Sequence, residues 1–225
     1  MRGKLCLTFD DGVYKQWIPV LPLFAKYGAH ATFFFSGMVD PAILDAMKTI
    51  AAAGHSIGLH TVSHADAIPF IPERGVEAYL AEQILPQLEP CRAAGIRIES
   101  FAYPNNRHSE ETDESLSPYF RHFRAGLPSR PAKGYWIAGQ DDAYLDPENP
   151  PRSLGGSGIG EFYATTVENL DAALERAAAE NKLIVFFSHG ISENAQHVHM
   201  KTAWLERMLK KANDLGMEII GFDEL

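Results

Sequence analysis

The chain has 225 residues, with 20 Lys and Arg against 29 Asp and Glu, giving a formal charge of -9. Hydrophobic residues make up 46% and charged residues 22%, the balance of a packed globular protein, which excludes a disordered chain. No basic run occurs, so nucleic acid and anionic membrane surfaces are not expected partners, and the length suits one α/β domain.

The two cysteines, Cys6 and Cys91, are far apart and form no CxxC pair, so neither a thiolate metal site nor a disulfide framework is expected. The first strand pattern, Lys4–Phe9, starts almost at once, with no apolar segment ahead of it to act as a signal peptide. As the sequence stands it reads as cytoplasmic. Oligomeric state is not legible.

That strand runs into Thr8-Phe9-Asp10-Asp11-Gly12, where glycine permits a sharp turn. Two carboxylates therefore arrive at a strand's carboxyl end, the end that faces the active site in barrel and doubly wound folds. A second strand pattern covers Ala29–Phe35. A helix follows near 41–53, with Asp40 as its cap, Pro41 in the first position and Gly54 after it.

Ser56–His60 is the third strand pattern, and it opens His60-Thr61-Val62-Ser63-His64. If that segment makes a helical turn, both imidazoles lie on one side, within reach of one metal. The stretch from 73 to 94 reads as helical, kinked or ended by Pro86 and Pro90. Further strand patterns are Ile98–Tyr103 and Phe120–Arg124.

Residues 127–160, rich in Pro, Gly, Asp and Asn, read as a long connection that forms part of a substrate rim. Its Tyr135, Trp136 and Tyr144 suit either sugar stacking or packing against the body of the domain. Thr165 or Thr166 opens a helix on which Val167, Leu170 and Leu174 share a face. The buried run Leu183–Ser188 ends at His189-Gly190, a stripe of Leu205, Met208, Leu209 and Ala212 marks the last helix, and Met217–Gly221 is the last strand pattern. Strands alternating with helices throughout, seven of them, predict an incomplete TIM-like barrel.

One carboxylate and two imidazoles, Asp11, His60 and His64, are a ligand set that leaves positions open on a divalent metal. Asp10, beside that set, is placed to take a proton from water, and His189 to return one to a departing amine. His55, His108, His122, His197 and His199 are read as incidental.

The three motifs, TFDDG at 8–12, HTVSH at 60–64 and the apolar strand ending in His189, resemble in order those of the polysaccharide deacetylase family, the NodB-homology proteins or carbohydrate esterase family 4. The resemblance spans nearly the whole chain. It implies a distorted (β/α)7 barrel in one domain and removal of an acyl group, usually acetyl, from a sugar nitrogen. The implied cofactor is one divalent metal, zinc first, with cobalt, nickel or manganese as alternatives. By position, Asp10 becomes the base, Asp11, His60 and His64 the metal ligands and His189 the general acid.

Two family motifs are altered. The Arg-x-Pro-Tyr-Gly run is replaced by Ala102-Tyr103-Pro104-Asn105-Asn106, which leaves the backbone N–H of Asn105 for the oxyanion and removes the arginine that would orient the base. Arg107 and Arg124 are candidates for that cation. No Asp-x-x-Asp-Trp segment precedes the helix near Thr165; Gly155-Gly156-Ser157-Gly158 stands there, and Asp141 and Asp142 are candidates to tune the acid.

The resulting expectation is a metal-dependent hydrolase that removes an N-acyl group, N-acetyl first, from an amino sugar or glycan. The alternatives are the same chemistry on a small amide, imide or formamide, and a non-catalytic relative that binds glycan or metal. Because polysaccharide substrates usually lie outside the cell and a removed leader would leave the same beginning, an extracytoplasmic location is the other reading of the first residues.

Overall fold

The computed structural model describes residues 2–225. Seven strands, β1 (Lys4–Phe9), β2 (Thr32–Phe35), β3 (Ser56–Leu59), β4 (Ser100–Ala102), β5 (His122–Gly126), β6 (Ser153–Gly158) and β7 (Leu183–Ser188), pair in parallel in that order. β7 then pairs with β1 along its whole length, Lys4 opposite Leu183 through Phe9 opposite Ser188, and closes a barrel. A short ribbon, β8 (Ile191–Ser192) with β9 (Met200–Lys201), lies beyond β7, and β10 (Glu218–Ile220) follows the last helix.

β10 is not one of the seven staves. It pairs with Lys4–Cys6 at the start of β1, while β2 pairs with β1 only at Thr8 and Phe9, so β10 fills the gap where those two strands splay apart. The sixth stave is instead β6, inside the segment read from sequence as a connection. Its sequence, Ser-Leu-Gly-Gly-Ser-Gly, carries neither the β-branched residues nor the alternation by which strands are recognised. Packing selects glycine there: a Cβ on Gly158 would lie 2.5 Å from the ring of Tyr163, and one on Gly156 would lie 3.1 Å from the ring of Phe187.

Helices pack outside the barrel where their apolar stripes fall. Pro41–Ala52 begins at Asp40, whose side chain accepts from the Ile43 N–H at 2.8 Å. Val167–Ala179 is capped by Thr166, and Thr202–Asp214 buries Leu205, Met208, Leu209 and Ala212. The 73–94 region breaks at Gly75, which ends Ala67–Arg74, and at a π turn over Leu80–Ile84 that follows Val76–Tyr79 and precedes Leu85–Ala93, where Pro86 stands in the first turn; Pro90, expected to kink or end the helix, lies inside this last one without ending it. Cys6 and Cys91 are buried free thiols, and among the described residues no helix is long and apolar enough to cross a membrane.

Candidate active site

The carboxyl ends of β1, β3 and β7 bring the three motifs together. Asp10 follows β1, its N–H held by the Ser188 carbonyl of β7, and its side chain is buried. Asp11 turns the other way because its φ is +75°, a left-handed conformation that a non-glycine residue rarely adopts. Gly12 continues the turn at φ +66°, with Ser36 backbone 3.2 Å from where a Cβ would sit. The adjacent carboxylates therefore face different environments.

His60 and His64 meet without the helical turn expected of 60–64. The segment bends instead, with Thr61 at φ +66° and His64 at φ +56°, and the two imidazoles pack edge to face with centroids 4.9 Å apart. Gln83, on the π turn, accepts from the Ser63 N–H and hydroxyl, both at 3.0 Å, and Thr61 Oγ1 accepts from the Ala65 N–H. Left-handed residues crowd this rim, as Asn105 and Asn106 join Asp11, Thr61 and His64. Strain of this kind persists where surrounding contacts fix a functional constellation.

Asp11 Oδ1 lies 3.6 Å from His60 Nε2 and 3.9 Å from His64 Nε2, and the three donor atoms fall within 4.8 Å of one another. His60 Nδ1 donates to the Ala102 carbonyl at 2.7 Å, which leaves the Nε2 lone pair facing Asp11. Burial pushes the His60 pKa down to about 4 despite the pull of Asp10, so the ring is neutral, the form that ligates. These residues fit one divalent ion.

Asp10 is held by Arg124, which the sequence offered as one of two candidate cations. Arg124, fully buried on β5, donates to Asp10 Oδ2 and to Asn106 Oδ1, and its guanidinium lies 4.6 Å from the centroid of the Phe187 ring. Burial by itself would raise the Asp10 pKa; the charge of Arg124, with His60 and His189 adding to it, overrides that and holds the carboxyl below its ordinary value. Arg107 is not the partner: it pairs with Asp66 at 2.8 Å near the surface. Asp10 Oδ1, also buried, has no hydrogen-bond partner among the described residues.

His189 Nε2 sits 3.7 Å from Asp11 Oδ2, which makes it the third imidazole around that carboxylate. Its Nδ1 donates to the Val198 carbonyl at 3.2 Å, and its own carbonyl accepts from Trp17 Nε1 at 2.8 Å. Neither Asp141 nor Asp142 reaches it. Asp141 pairs with Arg176 at 2.8 Å, and Asp142 accepts from the Ser129 N–H at 2.7 Å. A backbone carbonyl stands where a tuning carboxylate was expected.

Asn105 is exposed in the short turn after Pro104 and lines a cavity of about 400 Å³ together with Asn106 and Phe187, which both contact Arg124. The sequence reading missed Asn106, whose amide completes the Arg124 clamp. The signal was an Asn-Asn pair after proline, since Asn tolerates left-handed backbone better than most residues. It also missed Tyr163, which packs over Gly158 and against Phe187, and Trp17 and Gln83. Of the three aromatic residues singled out in 127–160, Tyr135 lines the cavity, Trp136 is exposed and Tyr144 is buried with its hydroxyl donating to the Ala173 carbonyl.

Two acidic and three imidazole side chains converge at the carboxyl mouth of a parallel barrel, a set of groups suited to metal binding and proton transfer. The sequence profile described as polysaccharide deacetylase matches residues 2–119, and the chain belongs to that family. Chitin deacetylases of Arthroderma benhamiae and of a Pestalotiopsis species are 32% and 43% identical, over 76% and 68% of this chain. This chain spans about half the length of those relatives, 46% of each. Among solved structures, a polysaccharide deacetylase from Mycobacterium smegmatis superposes with a TM-score of 0.68 at 15% identity, covering 99% of this chain and 88% of that one, and shares the fold.

Proposed function

We propose that this chain is a metal-dependent N-deacylase that removes an acetyl group from an amino sugar in a glycan. The observation that carries the reading is the free, buried Oδ1 of Asp10, whose other oxygen is fixed by Arg124 and whose pKa is held low, beside a set of metal donors to which it does not contribute. A binding module has no use for such a carboxylate. The chitin deacetylases that the sequence matches support an N-acetylated glycan as the substrate class.

Asp11, His60 and His64 would hold the ion, most simply zinc given one carboxylate and two imidazoles. A divalent ion there supplies Lewis acidity toward a water and the acyl oxygen. Asp10 Oδ1 takes the proton of the attacking water, and the guanidinium of Arg124 keeps the carboxylate ionised and aimed. His189, its ring fixed through Nδ1 by the Val198 carbonyl, delivers a proton from Nε2 to the departing amine. The backbone N–H of Asn105, in its left-handed turn, is the donor for negative charge developing on the acyl oxygen.

The test is metal content together with acetate and free-amine release from a panel of N-acetylated sugars and oligomers, with Asp10→Asn alongside. Metal-bound wild type that releases acetate, and Asp10→Asn that keeps metal without release, is the expected result. Release from small amides or formamides but from no sugar would move the substrate class, and a protein that binds no metal would overturn the assignment.

A further inference from the structure

The cavity of about 400 Å³ is lined at one end by Asn105, Asn106 and Phe187, the last two in contact with the Arg124 that holds Asp10, and extends to Arg130 at the start of the long loop. No acidic side chain lines it. Two of its three basic lining residues are already compensated: Arg107 by Asp66 at 2.8 Å, and His108, whose Nδ1 lies 3.1 Å from Asp113. Arg130 has no carboxylate at ion-pair distance among the described residues. In a chain of formal charge -9, this mouth reverses the local sign.

The Arg130 side chain is exposed, and the backbone turn that carries it is held in place. Its φ is +46°, a left-handed conformation costing a non-glycine residue on the order of 1 kcal/mol. The turn is pinned by the Arg130 N–H donating to the Leu127 carbonyl at 3.0 Å and by Asp142 accepting from the Ser129 N–H at 2.7 Å. Asp142 therefore serves this turn and not the acid.

We propose that the cavity receives an anionic substituent, a carboxylate or a phosphate, carried by the N-acylated substrate, and that Arg130 is the residue that selects for it. A guanidinium offers a planar pair of donors matched to either anion. Tyr135 and Tyr163 supply apolar faces for the body of the substrate, and the glycines of β6 leave the room. The proposal rests on the deacylase reading for which end of the cavity holds the acyl group, while anion recognition is measurable without turnover.

Zinc-loaded Asp10→Asn, with and without Arg130→Gln, is titrated calorimetrically with N-acetylglucosamine, its 6-phosphate and N-acetylmuramic acid. One or both anionic sugars should bind at least about tenfold more tightly than the neutral one, since each tenfold is a modest electrostatic gain at a partly open site. Arg130→Gln should bring that ratio close to one, and Arg130→Lys should keep part of it. The anion that gains identifies carboxylate or phosphate as its source. Equal affinity for neutral and anionic sugars, or an anion preference that survives Arg130→Gln, overturns the proposal.

In wild type the same ratio is read as kcat/KM on the three compounds, which covers poor folding of Asp10→Asn. A chain that releases no acetate but binds anions through Arg130 refutes the deacylase reading alone. One that deacetylates without an anion preference refutes this inference alone.

Discussion

The two sides of the barrel mouth are built differently. The β1–β3 side is crowded with reactive groups, Asp10, Asp11, His60 and His64, held by left-handed bends and by buried polar anchors such as the His60 bond to Ala102. The β5–β6 side gives one buried guanidinium, Arg124, and a strand of glycines that opens a cavity. On the proposed function, one side would supply proton and metal chemistry, the other charge support and space. The two meet at the Asp10–Arg124 pair, so damage at that pair should reach both function and stability, whereas damage farther along either side should affect one.

The largest effect is expected at Asp10. Asp10→Asn should lower kcat by about a thousandfold, within the range for loss of a general base, with zinc content by elemental analysis unchanged. A variant with near-wild-type turnover would move the base elsewhere.

Breaking the pair from its other end comes next. Arg124→Gln leaves a buried carboxylate without its cation, a loss of about 3–5 kcal/mol in unfolding free energy, readable in urea denaturation, together with reduced turnover. If stability fell while kcat held, Arg124 would belong to the barrel alone and the link between the sides would be broken.

A pH series tests the barrel far from the mouth. His55 accepts from the Ala31 N–H at 3.1 Å, and burial pushes its pKa down to about 4. The unfolded chain takes up that proton first, near the ordinary histidine value, so stability is full above that value and is lost as pH falls toward 4, by on the order of 3 kcal/mol. Asp223, pushed up to about 6 by burial, works in the opposite direction and is common to both proteins compared. In metal-stripped protein, urea midpoints at pH 7 and pH 4.5 should differ less in His55→Asn than in wild type; equal differences would remove His55 as a source.

The smallest effect sharpens the role of space. Gly158→Ala would place a methyl 2.5 Å from the Tyr163 ring, at an expected loss of about 1–3 kcal/mol. Pairing it with Tyr163→Ala should recover part of that loss, a coupling measurable as a double-mutant cycle. Strict additivity would mean that the glycine serves something other than this contact.

Sequence legibility followed the same division. The DDG and HxxxH motifs and the histidine after an apolar strand are legible in residue type and spacing, and the structure brings Asp10, Asp11, His60, His64 and His189 together, although 60–64 meets through bends and not a helical turn. Arg124 could only be offered beside Arg107, because the choice depended on which strand ends face Asp10. β6 does not read as a strand because its glycines answer to side-chain volume, that of Tyr163 beyond the strand's end and of Phe187 and Arg124 on other strands, and not to a local strand pattern.

What the sequence by itself determined is local: the alternation of strand and helix, the caps at Asp40 and Thr166, and the polar residues placed after apolar strands, each dictated by neighbours in the chain. What only the tertiary structure decided is everything that depends on closure. β10 became a wedge and β6 a stave, Arg124 met Asp10 across 114 residues of sequence, and Val198 took the place of a carboxylate behind His189. Barrel closure sets such meetings by register and side-chain volume across non-adjacent strands, and no local pattern encodes them.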